Sequence, residues 1–169
     1  MNVNDVGGVH SSEGEARDQI GRELLIAIDP GEVHCGIARF EGDYLMSTFE
    51  MTPDDLFDYL KNVFEYFAKP NADYDSIVVV MESFRLYPGS SKALAYSALM
   101  TVEVIGVVRF LCKQAGIKLV EQNATIKIPT RKQMVARGIV NFAVTSGKGR
   151  HCADAVEHGY YYLLRDRKS

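Results

Sequence analysis

Two short apolar runs that each end in a carboxylate constrain this chain more than any other feature. Residues 24–28, "LLIAI", stop at Asp29, and residues 77–81, "IVVVM", stop at Glu82. Runs this short and this rich in Ile and Val read as strands buried on both faces, so the chain needs a central sheet with cover on either side. A carboxylate at the end of a buried strand is costly unless a cation meets it. Asp29 opens a Pro30-Gly31 turn and can simply hydrogen-bond that turn. If the two strands are neighbours, however, both acids leave the sheet at one edge.

The remaining elements are consistent with such a sheet. After the Asp-Pro-Gly turn, residues 34–40 return as a hairpin partner, and a turn at Gly42-Asp43 leads to a third strand over 44–49. Thr52 is placed to cap a helix with Pro53 in its first position and acids in its first turn; Lys69-Pro70-Asn71 ends it. The loop "SFRLYPGSS" follows the strand over 76–82 and leads to a long helix over 92–114, stopped at Ala115-Gly116. A fifth strand, "IKLVE", precedes a short basic helix over 130–138, the loop "VTSGKGR" and a last helix over 150–164. The order β-β-β-α-β-α-β-α-α predicts a mixed α/β domain over residues 22–169. Residues 1–21 are polar and aperiodic and are expected to form a disordered arm.

At 169 residues, with 47% hydrophobic and 24% charged residues, one soluble domain is expected. No signal-peptide pattern and no membrane-length apolar run is present, and Cys35, Cys112 and Cys152 make no paired framework, so a cytoplasmic setting with reduced thiols is expected. The net charge of −3 hides a split. Residues 1–83 hold 5 Lys/Arg and 17 Asp/Glu, a net of −12, whereas residues 84–169 hold 14 and 5, a net of +9. The second half can therefore supply a phosphate-binding face.

A third acid comes from "GRHCADAVEHGYYYLL". On a helix, His151, Asp154 and either Glu157 or His158 share one side, and this stripe at the N-terminal end can turn toward the strand ends. Carboxylates from two strand ends and one helix repel one another unless they bind cations, and oxygen ligands favour Mg²⁺ or Mn²⁺. Two such ions can activate water and stabilise a leaving oxygen in phosphodiester hydrolysis.

These residues resemble a known family. "IAIDPGEVHCGIA", a buried strand ending in "ME", and "HCADA" near the C-terminus are similar in order and spacing to the RuvC Holliday-junction resolvases of the RNase H-like superfamily, over roughly residues 23–164. The resemblance implies a five-stranded mixed sheet whose first three strands are antiparallel, flanked by helices. It also implies that Asp29, Glu82 and Asp154 are metal ligands, with His151 where many members carry Asp. Two Mg²⁺ or Mn²⁺ ions per site, cleavage of branched DNA such as four-way junctions, and a homodimer through the helix over 92–114 are implied as well. That helix is apolar on more than one face.

The segment "ATIKIPTRKQMV" resembles the family's Lys-containing loop and helix start without the usual Gly-rich stretch between them. Lys127 and Lys132 are expected phosphate contacts there, joined by Arg85, Lys92, Arg131, Lys148 and Arg150 of the basic half. Phe84 and Tyr87 both lie where the family stacks an aromatic on bases, and spacing does not choose between them. Glu157 has no clear family counterpart.

Other local patterns fail. "SGKGR" does not have Walker spacing, because Gly138 stands nine residues before Gly147. His34-Cys35 and His151-Cys152 are adjacent pairs that suit no structural zinc site. An actin-like ATP-binding domain would need a second subdomain. The expected function is a divalent-metal-dependent endonuclease of branched DNA; the alternatives are a nuclease acting on RNA or flap substrates and a non-cleaving nucleic-acid-binding module.

Overall fold

A computed structural model describes residues 22–83, 95–145 and 149–165. The expected arm over 1–21 lies outside them, as do Phe84, Arg85, Tyr87, Lys92 and Lys148. Five strands, β1 (Glu23–Asp29), β2 (Cys35–Glu41), β3 (Tyr44–Met51), β4 (Ser76–Ser83) and β5 (Lys118–Asn123), form one sheet in the order β3-β2-β1-β4-β5. β1 pairs antiparallel with β2 and β2 antiparallel with β3; β1 runs parallel to β4, and β4 to β5. This is the expected mixed sheet, with the two acid-terminated strands side by side at its centre.

Alternation along the strands divides the core. Ile26, Ile28, Ile37, Val79 and Met81 face helices α1 (Pro53–Phe67) and α2 (Ala95–Ala115), where they meet Leu56, Leu60, Phe64, Ile105 and Val108. Each such side chain contributes about 1.5–3 kcal/mol by leaving water. Thr52 caps α1 by accepting the Asp55 amide hydrogen, as its spacing predicted.

The opposite face carries Leu25, Ala27, Ala38, Phe40, Val78 and Val80, covered mainly by α5 (Arg150–Leu164). Its small residues let α5 lie close. Gly159 packs on the Phe40 ring, and a Cβ on Gly36 would collide with the His151 carbonyl. The N-terminus of α5 is thus seated directly on the sheet edge where β1 ends.

Several boundaries move. The basic helix starts earlier than expected, as α3 (Lys127–Ala136), directly after a 3₁₀ turn (Ala124–Ile126) in which the Asn123 side chain accepts the Thr125 amide hydrogen. Pro129 does not block that start, because the first-turn N–H groups of a helix have no intrahelical acceptor. A short helix, α4 (Phe142–Thr145), occupies part of the segment read as loop. No described helix is long and apolar enough to cross a membrane.

Candidate functional site

One row of residues across the sheet edge builds the floor of the site. Glu50 pairs with Gly36, Gly36 with Asp29, and Glu82 with Gln122; the β1–β4 register, Ile28 opposite Met81, puts Glu82 beside Asp29 one step further on. Asp29 shares its side of β1 with Leu25 and Ala27, and Glu82 shares its side of β4 with Val78 and Val80, so both carboxylates point toward α5. α5 crosses above this row. Gly149 meets the Glu50 carboxylate, His151 lies over Asp29, and His158 lies over Glu82 and Gln122.

Three carboxylates converge on one ammonium. Lys127, the first residue of α3, places Nζ 3.1 Å from Asp29 Oδ1, 2.6 Å from Glu82 Oε2 and 2.6 Å from Asp154 Oδ2. The acids are largely buried, with Asp29 at 5% exposure and Asp154 at 6%. His151 Nδ1 is 2.6 Å from Asp29 Oδ2. His158, fully buried, has Nε2 3.1 Å from Glu82 Oε2 and Nδ1 2.8 Å from Gln122 Oε1.

The electrostatics follow from these contacts. Burial raises the pKa of Asp29, outweighing the His151 hydrogen bond and the Lys127 charge. Glu82 is half-buried, and hydrogen bonds from His158 and Lys127 outweigh its desolvation and hold it at about 2. Burial opposes the charge on Lys127, yet the surrounding carboxylates raise its pKa above the ordinary lysine value. The bond to Asp29 likewise raises His151.

The donor set fits a divalent cation. The three carboxylates already enclose a position for positive charge, and hard oxygen donors suit Mg²⁺ or Mn²⁺. His158 stands beside the same position, with a ring nitrogen within 4.8 Å of an oxygen each of Asp29 and Glu82. Lys127 leaves one ammonium against three carboxylates, so the cluster keeps capacity for further cationic charge.

Of the residues expected at the site, Asp29, Glu82, Asp154 and His151 are brought together. Glu157 is not. It is buried away from the cluster, with Oε1 2.6 Å from Arg131 Nε. Of the two residues that helical spacing left open after Asp154, His158 is the one that reaches the acids. Lys127, expected to contact phosphate, holds the three carboxylates in this structure. Arg131 and Lys132 lie on the exposed side of α3, and Arg150 is exposed with Nε 3.9 Å from Asp154 Oδ2. Gln122 was missed entirely, since a Gln late in a strand carries no signal without knowledge of its neighbour.

No protein-family model and no curated protein matches the sequence. Solved structures do. Thermus thermophilus RuvC in complex with a Holliday junction substrate superposes with a TM-score of 0.58 at 15% identity, over 87% of this chain and 96% of that one. A second Thermus thermophilus RuvC structure gives 0.55 at 16% identity, over 86% and 96%. The yeast mitochondrial Holliday junction resolvase Ydc2 gives 0.48 at 10% identity, over 82% and 77%. With its five-stranded mixed sheet and a superposition covering nearly all of the RuvC chains, this chain has the RNase H-like fold of the RuvC structures.

Proposed function

We propose that the chain is a divalent-metal-dependent, structure-selective endonuclease that hydrolyses phosphodiester bonds in branched DNA, four-way junctions among them, as a homodimer. The observation that carries this reading is the convergence of Asp29, Glu82 and Asp154, from β1, β4 and α5, on one cation position. The fold shared with a junction-bound RuvC supports it.

Asp29, Glu82 and Asp154, with His151 beside them, would hold Mg²⁺ or Mn²⁺, two ions per site. Ions bound there would supply Lewis-acid stabilisation of phosphodiester oxygens and lower the pKa of bound water. Lys127, released from the carboxylates, would meet a phosphate of the bound strand. The His151 side chain is 44% exposed, so its ring can orient water or take a proton at the rim. Arg131, Lys132 and Arg150 supply sequence-independent phosphate contacts around the opening. Lys92, Lys148 and Arg85 extend that set, and Phe84 or Tyr87 stacks on bases.

Dimerisation is supported by α2. Leu99, Val102 and Phe110 are 60%, 42% and 62% exposed, and with Gly106 they make a stripe at helical spacing on the side away from the sheet. A second copy covering that stripe would place two sites on opposed strands of a junction.

The test is a substrate panel: four-way junction, flap, plain duplex and RNA–DNA hybrid, each with Mg²⁺ or Mn²⁺. Paired nicks confined to branched DNA are expected, whereas preferred cutting of the hybrid would move the reading to RNA. One observation favours a second reading. Because Lys127 already fills the cation position, the fold also suits a module that binds junctions without cutting them. Tight junction binding with no metal-dependent nicking would establish that module instead.

A further inference from the structure

Among the described residues at the site, His158 is a polar group held from two sides. It is fully buried, one helical turn after Asp154, and both of its ring nitrogens are engaged. Glu82 is ion-paired with the Lys127 ammonium at 2.6 Å, and a carboxylate in such a pair accepts hydrogen bonds only. Nε2 of His158 must therefore carry the hydrogen that lies between it and Glu82 Oε2. The requirement does not depend on the other side of the ring. If Nδ1 is unprotonated, Gln122 presents its NH₂ by a half-turn of the carboxamide; if Nδ1 is protonated, Gln122 Oε1 accepts from it. Gln122 is 4% exposed and pairs with Glu82 across the β4–β5 ladder. Helix α5 on one side and β5 on the other thus fix the ring, and the ring fixes one oxygen of Glu82.

We propose that His158 is a positioning residue that, backed by Gln122, holds the Glu82 carboxylate in the orientation in which it receives a divalent cation beside Asp29. This inference rests on the reading that the carboxylates bind metal. His158 does not reach the ion itself, because its Nε2 hydrogen is committed to Glu82. Groups that hydrogen-bond to ligating side chains are commonly worth 10–100-fold in metal affinity, and the same range is expected here.

The test is Mn²⁺ binding by the full chain without DNA, followed from the free-ion electron paramagnetic resonance signal, with the apo melting temperature of each protein measured in parallel. Wild type should bind and Asp29→Asn should lose binding. His158→Leu, which keeps bulk and removes the donor, should weaken binding about 10–100-fold. His158→Gln restores an N–H at the Nε2 position and should recover most of that loss. Wild-type affinity in His158→Leu would reduce His158 to core packing and overturn the inference, as would His158→Gln binding no better than His158→Leu. If His158→Leu does not fold, Gln122→Leu carries the test: several-fold weaker binding supports the inference and unchanged binding refutes it. A histidine nitrogen coupling to Mn²⁺ that survives His151→Ala and vanishes in His158→Gln would make His158 a direct ligand and overturn the positioning role. No Mn²⁺ binding by wild type would refute the metal reading itself, whereas normal wild-type binding with an indifferent His158→Leu refutes this inference alone.

Discussion

Replacing Lys127 by Met keeps the length of the side chain and removes the charge that three carboxylates share. Breaking a buried ion pair from one side costs about 3–5 kcal/mol, because the remaining charge stays buried without a partner. Here the Lys127 and Glu82 side chains are 18% and 22% exposed, so water screens part of the loss and the lower end, about 3 kcal/mol, is expected at pH 7. For a chain of this size that lowers the melting temperature of the metal-free protein by about 6–12 °C. The sign with pH follows from the carboxylates. Glu82 has a depressed pKa, so its stabilising contribution is present above its ordinary value of 4.5 and lost as pH falls toward about 2. Asp29, raised by burial, works in the opposite sense and takes up its proton first. The gap between wild type and Lys127→Met should therefore be full at pH 7 and close as the medium is acidified below pH 4.5. Mn²⁺ should raise the melting temperature of the variant more than that of wild type, in which the ion competes with the ammonium. Differential scanning calorimetry with and without Mn²⁺ reads all three effects. A metal-free variant as stable as wild type at pH 7, or a larger Mn²⁺ response in wild type, would refute the internal-cation account.

Two further outcomes follow. Gly36→Ala drives a methyl group into the His151 carbonyl, so α5 must lift from the sheet edge; a stability loss of about 1–3 kcal/mol and a larger loss of cleavage are expected, and unchanged melting and activity would contradict the seating of α5. Phe110→Glu puts a charge in the exposed apolar stripe of α2, which should give monomers by light scattering at unchanged helical content, whereas an intact dimer would place the interface elsewhere.

Much of the sheet was legible because its strands are either unbroken apolar runs or short segments between turn residues. The runs ending at Asp29 and Glu82 are apolar on both faces, as central strands must be. Thr52-Pro53 announced α1 by chemistry that acts within one turn. The start of α3 was less legible. A 3₁₀ turn held by Asn123 feeds directly into it, and Pro129 marks a first turn as readily as a loop. That small shift decides the position of Lys127. His158 was visible as a helical neighbour of Asp154, but spacing alone left it level with Glu157. The choice depends on how α5 rotates over the sheet, and small residues far apart in sequence, Ala27, Ala38 and Gly159, set that rotation. Gln122 gained its place only through the β4–β5 register. Carboxylates at strand ends could be read locally, whereas the groups that hold them come from long-range packing.

The central claim is that the acids at the β1 and β4 ends, with Asp154, bind the cations that cut branched DNA. The most direct measurement compares wild type and Asp29→Asn on a labelled four-way junction, with binding scored by gel shift and cleavage by denaturing gel, in Mn²⁺ and in a chelator. Replacing one carboxylate oxygen by an amide removes charge with almost no change in volume. The expected result is equal junction binding by both proteins, paired nicks by wild type only in Mn²⁺, and none by Asp29→Asn. Cleavage by Asp29→Asn at the wild-type rate, or cleavage by wild type that survives the chelator, would contradict the account.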